Sequence, residues 1–263
     1  MFRMLRVEGK KTLFSVTLWA IFAVMIFVSF WFSGMNFSKL PDELSSAYGM
    51  QYALEEPMSR GEYVFLRTMS DASFTAWLSV IAGALIIGMD FSNRTINNLI
   101  YAGNKRINVL IVKLVYFYIS TFLLSSVYPA VNCIKYSLRW FSELTQDDVI
   151  YVLRCIAYRA ILDMAMMSFT LVSAFVFRDI IRTLGCSLII IVVMSQLMGM
   201  VNGIENGSRI RNIIEYFPAY SIRKVMFREV SSEIVNRSML YSTVMILITG
   251  LSCYVLFRKA DLQ

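Results

Sequence analysis

Long apolar runs alternate with short polar stretches along the whole chain. Several runs reach or exceed the ~20 residues that carry an α-helix across a ~30 Å hydrocarbon core. A segment in lipid must satisfy its own backbone hydrogen bonds, so each run is expected as a helix. The pattern predicts six transmembrane helices, at about 13–32, 72–89, 107–133, 150–177, 183–201 and 239–257. The run at 107–133 is long enough to tilt or to overrun the bilayer. The expected fold class is all-α: one polytopic membrane domain over 1–263, with no room for a separate soluble domain.

The polar segments refine this picture. At the N-terminus, Phe2, Met4, Leu5 and Val7 are interleaved with Arg3, Arg6, Lys10 and Lys11. Two readings stand side by side: an amphipathic helix lying in the membrane interface, or a basic flank that only orients the first span. That first apolar run is too long for a signal peptide and reads as a retained span. The stretch 33–71 is net acidic, contains Pro41 and reads as loop. In 202–238, Ile210, Ile213, Ile214 and Phe217 fall at helical spacing, and Ile222, Val225, Met226 and Glu229 resume it past Pro218. One or two short amphipathic helices at the interface are expected there.

Lys and Arg are densest in the short segments: the N-terminal arm, the linker with Arg94, Lys105 and Arg106, the Arg178/Arg182 turn, and Arg258–Lys259. The positive-inside rule then places both termini in the cytoplasm of a multi-pass cell-membrane protein. Arg209, Arg211, Arg223, Lys224, Arg228 and Arg237 run against it; if their segment lies inside, a neighbouring span is a re-entrant hairpin.

Composition narrows the chemistry. The chain is 57% hydrophobic and 16% charged, against about 45–50% and about 25% in soluble domains. Its net charge of +7 sits beside apolar runs, which suits headgroup contact and orientation rather than nucleic acid. The four cysteines form no CxxC pair and lie in or beside apolar segments, where Cys acts as a small hydrophobe. The absence of histidine removes His-based triads and dyads, HExxH zinc chemistry and His-ligated haem. Glu55, Glu56 and Arg60 spell EExxxR, a protease-like string whose chemistry also needs histidines. No GxxxxGK[ST] loop cradles a phosphate. No catalytic, cofactor-binding or metal-binding residue is therefore assigned.

Charges inside apolar runs are the exception, since one at mid-bilayer costs on the order of 2.5–3.5 kcal/mol. Arg159 and Asp163 stand at i, i+4 and can pair. They line a polar substrate path or form a structural pair, with Arg154 snorkelling to the outer headgroups. Lys113 reads as snorkelling to the inner surface. Gly199 and Gly203 make a weak GxxxG packing signal.

The stretch with most information is Gly88–Lys113, GMDFSNRTINNLIYAGNKRINVLIVK. An apolar run ends in an acidic residue, Asp90, and a short helix follows. Asn93 or Thr95 can cap it and Gly103 can stop it. Ile96, Leu99 and Ile100 give it one apolar stripe, suited to a groove on a cytosolic partner.

This stretch resembles the second intracellular segment of type-2 ABC exporter permeases, especially the Gram-positive bacitracin-resistance and lantibiotic-immunity branch. The matching features are Asp90, Phe91, the run Asn93–Asn97, the Leu99–Ile100 doublet, the turn from Gly103 to Arg106, and Lys113. The departures are Arg94, where glycine is usual, and Asn97, where a basic residue is common. The resemblance implies a coupling helix at about 90–106, with Asp90, Arg94, Thr95, Ile96, Leu99, Ile100, Lys105 and Arg106 contacting a separate ATPase. It implies two copies of that ATPase, which would hold ATP and Mg, and a second permease, identical or homologous. Export of a peptide or hydrophobic compound would follow. The alternatives are a membrane immunity or sensor subunit that binds without transporting, and an ion-gradient-driven secondary transporter.

Overall fold

The computed structural model describes residues 2–36, 43–45, 51–53, 60–71, 77, 80–200, 214, 217–228 and 230–258. Its architecture is all-helical apart from a two-stranded antiparallel ladder, β1 (Glu43–Ser45) on β2 (Gln51–Ala53). The helices are α1 (Phe2–Leu13), α2 (Val16–Asn36), α3 (Arg60–Ser70), α4 (Val80–Ser92), α5 (Thr95–Tyr101), α6 (Arg106–Tyr136), α7 (Leu138–Ser142), α8 (Gln146–Phe177), α9 (Ile180–Met200), α10 (Pro218–Val225) and α11 (Ser232–Arg258).

Among the described residues, four helices are long and apolar enough to cross a membrane: α6, α8, α9 (to Leu197) and α11. The chain is thus a membrane protein with several transmembrane helices. A fifth apolar segment is the pair α1–α2, bent by 50° near Ser15. In the expected second span, only the shorter apolar helix α4 and Trp77 are described.

α8 is the centre of the bundle: α11, α9, α10 and α6 all pack on it. α6 and α8 have 31 and 32 residues, or about 46–48 Å at 1.5 Å per residue, well over the ~30 Å of a hydrocarbon core. The surplus forms a second layer at one end of the bundle. That far end carries α3, α7, the start of α8 and α10. The near end carries α1, α5 and the end of α11, where Arg106 Nη1 donates to the Arg258 carbonyl at 3.2 Å.

The far layer corrects the sequence reading. Residues 60–70, read as the end of a loop, form α3, and its Tyr63, Val64, Phe65 and Leu66 are each 1% exposed. The Phe65 ring meets Trp140, Phe141 and Tyr151 at centroid distances of 5.5, 6.1 and 5.8 Å. Ile222 and Met226 of the α10 segment are buried in the same cluster, in line with the helical spacing read there. Ile210, Ile213, Pro41, Glu55, Glu56, Gly203 and Lys259 lie outside the described residues. α11 begins at Ser232, seven residues before the expected 239, because Ser232–Ser238 continues the same helix.

Candidate functional site

At the near end, α4 carries a π-helical turn, Ala84–Gly88, just before Asp90. Gly88 lets α4 touch the start of α9: a Cβ there would lie 3.1 Å from the Ile180 Cα. Such turns change the register of the residues that follow and recur at functional sites. Here Asp90 points inward, 4% exposed.

Asp90 meets two lysines that lie far from it in the sequence, and one of them brings in Glu8. Lys113 of α6, 2% exposed, donates to Asp90 Oδ2 and, at 2.6 Å, to Glu8 Oε1 of α1. Lys11 pairs with the other Asp90 oxygen from a half-exposed position. Two ammonium groups and two carboxylates balance within one cluster. Mutual pairing is what lets such charges leave water, since an isolated buried ion costs several kcal/mol. Lys113 therefore does not snorkel to the surface, as its position in the run had suggested. α1 is pinned further by Tyr116, whose hydroxyl donates to the Leu5 carbonyl at 2.6 Å. Gly9 makes room for that ring, as a Cβ there would sit 2.6 Å from Tyr116 Oη. α1 is thus a helix packed on α6, with its charged face turned partly into the protein.

α5 sits just outside this cluster. Its Ile96 is 1% exposed and packs with Val109, Phe175 and Phe257. Phe91 joins them edge-on to Phe175 at 5.3 Å. Leu99, Ile100 and Thr95 are half-buried, and Arg94, Asn98, Lys105 and Arg106 are exposed. Tyr101 is 71% exposed at the tip. Asp90 and Ile96, expected at a partner surface, face into the protein instead. The apolar stripe anchors α5 to its own bundle, and its polar face looks outward.

The caps of α5 differ in part from expectation. Neither Asn93 nor Thr95 caps the helix; Arg94 is the N-cap, in the left-handed region at φ 55°, with no side-chain cap bond. At the other end Gly103 has φ 85° and its N–H bonds to the Ile100 carbonyl at 2.9 Å, so glycine stops the helix as read. At Arg94 the backbone has the conformation that glycine adopts most readily.

At the far end, three arginines tie neighbouring segments together through carbonyls and carboxylates. Arg159 Nε donates to Asp163 Oδ2 at 2.8 Å, and its Nη1 donates to the Thr68 and Met69 carbonyls at 3.1 and 2.5 Å. These carbonyls lie in the last turn of α3, where no intrahelical donor remains and the helix dipole favours a cation. Arg154 Nη2 donates to the Phe227 and Arg228 carbonyls at 3.1 and 3.3 Å. Tyr151 donates to the Met226 carbonyl at 2.9 Å. Arg154 therefore turns toward the chain after α10. Arg228 closes the layer by pairing with Glu62 at 2.6 Å and with Asp148. Burial opposes the Arg228 charge, but its hydrogen bonds to Asp148 and Glu62 outweigh that and raise its pKa above the ordinary guanidinium value.

Glu8 and Tyr116 escaped the sequence reading, and Lys11 enters it only as part of the basic arm. The only signal was Glu8 and Lys11 at i, i+3 in a basic arm, and nothing in the sequence linked them to Asp90. Among the described residues, no three His, Cys, Asp or Glu side chains gather where a metal ion could sit. No family model, curated protein or solved structure matches the chain.

Proposed function

We propose that this chain is the transmembrane permease subunit of a type-2 ABC exporter, in which a separate ATPase drives export of a peptide or hydrophobic compound. One observation carries the reading. α5 stands at the near end, apolar side on the bundle and polar side outward, and Asp90, in the last turn of α4, is wired to α6 and α1 through Lys113 and Glu8. A push on α5 would travel along short rigid links into α4 and α6 and shift α1 with them. Six spans with both termini cytoplasmic, a paired second permease and two ATPase copies complete the arrangement.

On this geometry the partner surface consists of Arg94, Asn98, Tyr101, Lys105 and Arg106. The first test is purification of the tagged chain from its host in mild detergent. A stoichiometric ATPase whose hydrolysis rate changes with the permease supports the reading. Asn98→Asp with Tyr101→Asp should then abolish co-purification while the thermal unfolding curve stays unchanged. An ATPase bound equally well by that variant would move the contact elsewhere, and no ATPase in any detergent would end the proposal.

A further inference from the structure

A cavity of about 390 Å³ opens between α3, α6 and α8. Its shape follows from sequence. On α6, Ser126, Pro129 and Ala130 leave little side-chain volume, and Phe65 and Met69 of α3 and Ile156 of α8 stand across from them. α3 is kept there by the Arg159 bonds to its last carbonyls. On α6 the lining runs from Phe122 to Cys133, about 16 Å along the axis at 1.5 Å per residue. The space is therefore a slot parallel to the helices.

The rim of the slot is apolar and exposed. Leu123 and Ala130 line it and are exposed, and Ile119 continues the same apolar face one turn below. The interior offers a ligand almost nothing polar. The Ser126 hydroxyl already donates to the Phe122 carbonyl at 2.7 Å. The Arg159 guanidinium is engaged by Asp163 and the α3 carbonyls. Apolar cavities of about 150 Å³ stay dry and take up hydrocarbons, and this one falls within the range of about 300–1,000 Å³ typical of ligand pockets.

We infer that the slot binds one hydrocarbon chain of a membrane amphiphile, entering sideways from the leaflet at the far end. Elongation selects a chain over a compact ring system. The absence of available polar groups on its walls means that it reads the chain and not the headgroup. The inference does not depend on an ATPase partner.

The test uses the full chain in phosphatidylcholine vesicles doped with a phospholipid whose palmitoyl chain ends in a diazirine. After irradiation, labelled residues are mapped by mass spectrometry. Label should concentrate on Phe122–Cys133 and on Phe65 or Met69, equally for phosphatidylglycerol and phosphatidylcholine probes. Ser126→Trp fills the slot and should lower that labelling about tenfold, with labelling of the exposed α11 residues Leu247 and Leu251 unchanged. Ala130→Trp blocks the rim from an exposed position and should lower it too; this variant decides the matter if Ser126→Trp fails to fold. Slot labelling that survives Ala130→Trp overturns the inference. So does label spread evenly over all exposed apolar faces, or label that requires one headgroup.

Discussion

Two single residues set testable backbone and charge balances. Arg94 holds φ 55°, a conformation that costs a residue with a Cβ about 1–2 kcal/mol. Arg94→Gly should relieve about 1 kcal/mol of this after the entropy glycine adds to the unfolded chain, raising the apparent melting temperature by about 2–4 °C. A fall in melting temperature would show that the Arg94 side chain contributes more than its backbone loses. Lys113 is the second case. It lies between Glu8 and Asp90, so Lys113→Met leaves the buried Glu8 without its cation and Asp90 with Lys11 alone, and should cost about 3–5 kcal/mol. Glu8→Gln and Asp90→Asn added to Lys113→Met should recover most of that loss. A triple variant as unstable as the single one would mean that the cluster stabilises by packing and not by charge balance.

At the scale of elements, the far layer depends on α8 supplying donors to the ends of other helices. Arg159→Met should leave the Thr68 and Met69 carbonyls without their cation, and Asp163 unpaired in a buried position. The α3 amides from Tyr63 to Met69 should then exchange with deuterium at least about tenfold faster, while α9 and α11 remain protected. Arg159→Met with Asp163→Leu should restore overall stability but not the α3 protection, because the carbonyls stay uncapped. Exchange confined to α8 itself would show that α3 does not rely on Arg159. The sequence reading went wrong here for an identifiable reason. Phe65, Leu66 and Met69 give α3 an apolar face opposite Arg67, but its 11 residues are too few for a span. Arg60, Glu62 and Arg67 around them then made the segment look like loop.

The whole molecule has two ends of different character. The near end is an arm, a short helix and a neutral charge cluster; the far end is a packed cap of short helices and arginines. If the spans cross as expected, a maleimide that cannot permeate should reach Tyr101→Cys and Arg139→Cys from opposite sides of a sealed vesicle. Both sites lie on exposed residues, and Cys133, Cys155 and Cys253 are buried, so background labelling is confined to Cys186. Labelling of both engineered sites from one side would change the count of crossings between α5 and α7.

The sequence by itself determined the elements whose cause is local or set by the solvent. Runs such as 107–133 and 150–177 must be helices because lipid offers their backbone no other partner. Gly103 stops α5 because a left-handed residue is needed at that point. Tertiary structure alone decided where charged residues found partners. Glu8 and Asp90 are far apart in the chain and share Lys113 only because α1 and α4 both pack on α6; Arg154 and Arg159 reach carbonyls of segments more than seventy residues away. Apolar runs answer to the solvent, which is the same everywhere in the bilayer core. A buried charge answers to a particular partner at hydrogen-bonding distance, and no one-dimensional pattern records which segments will be neighbours.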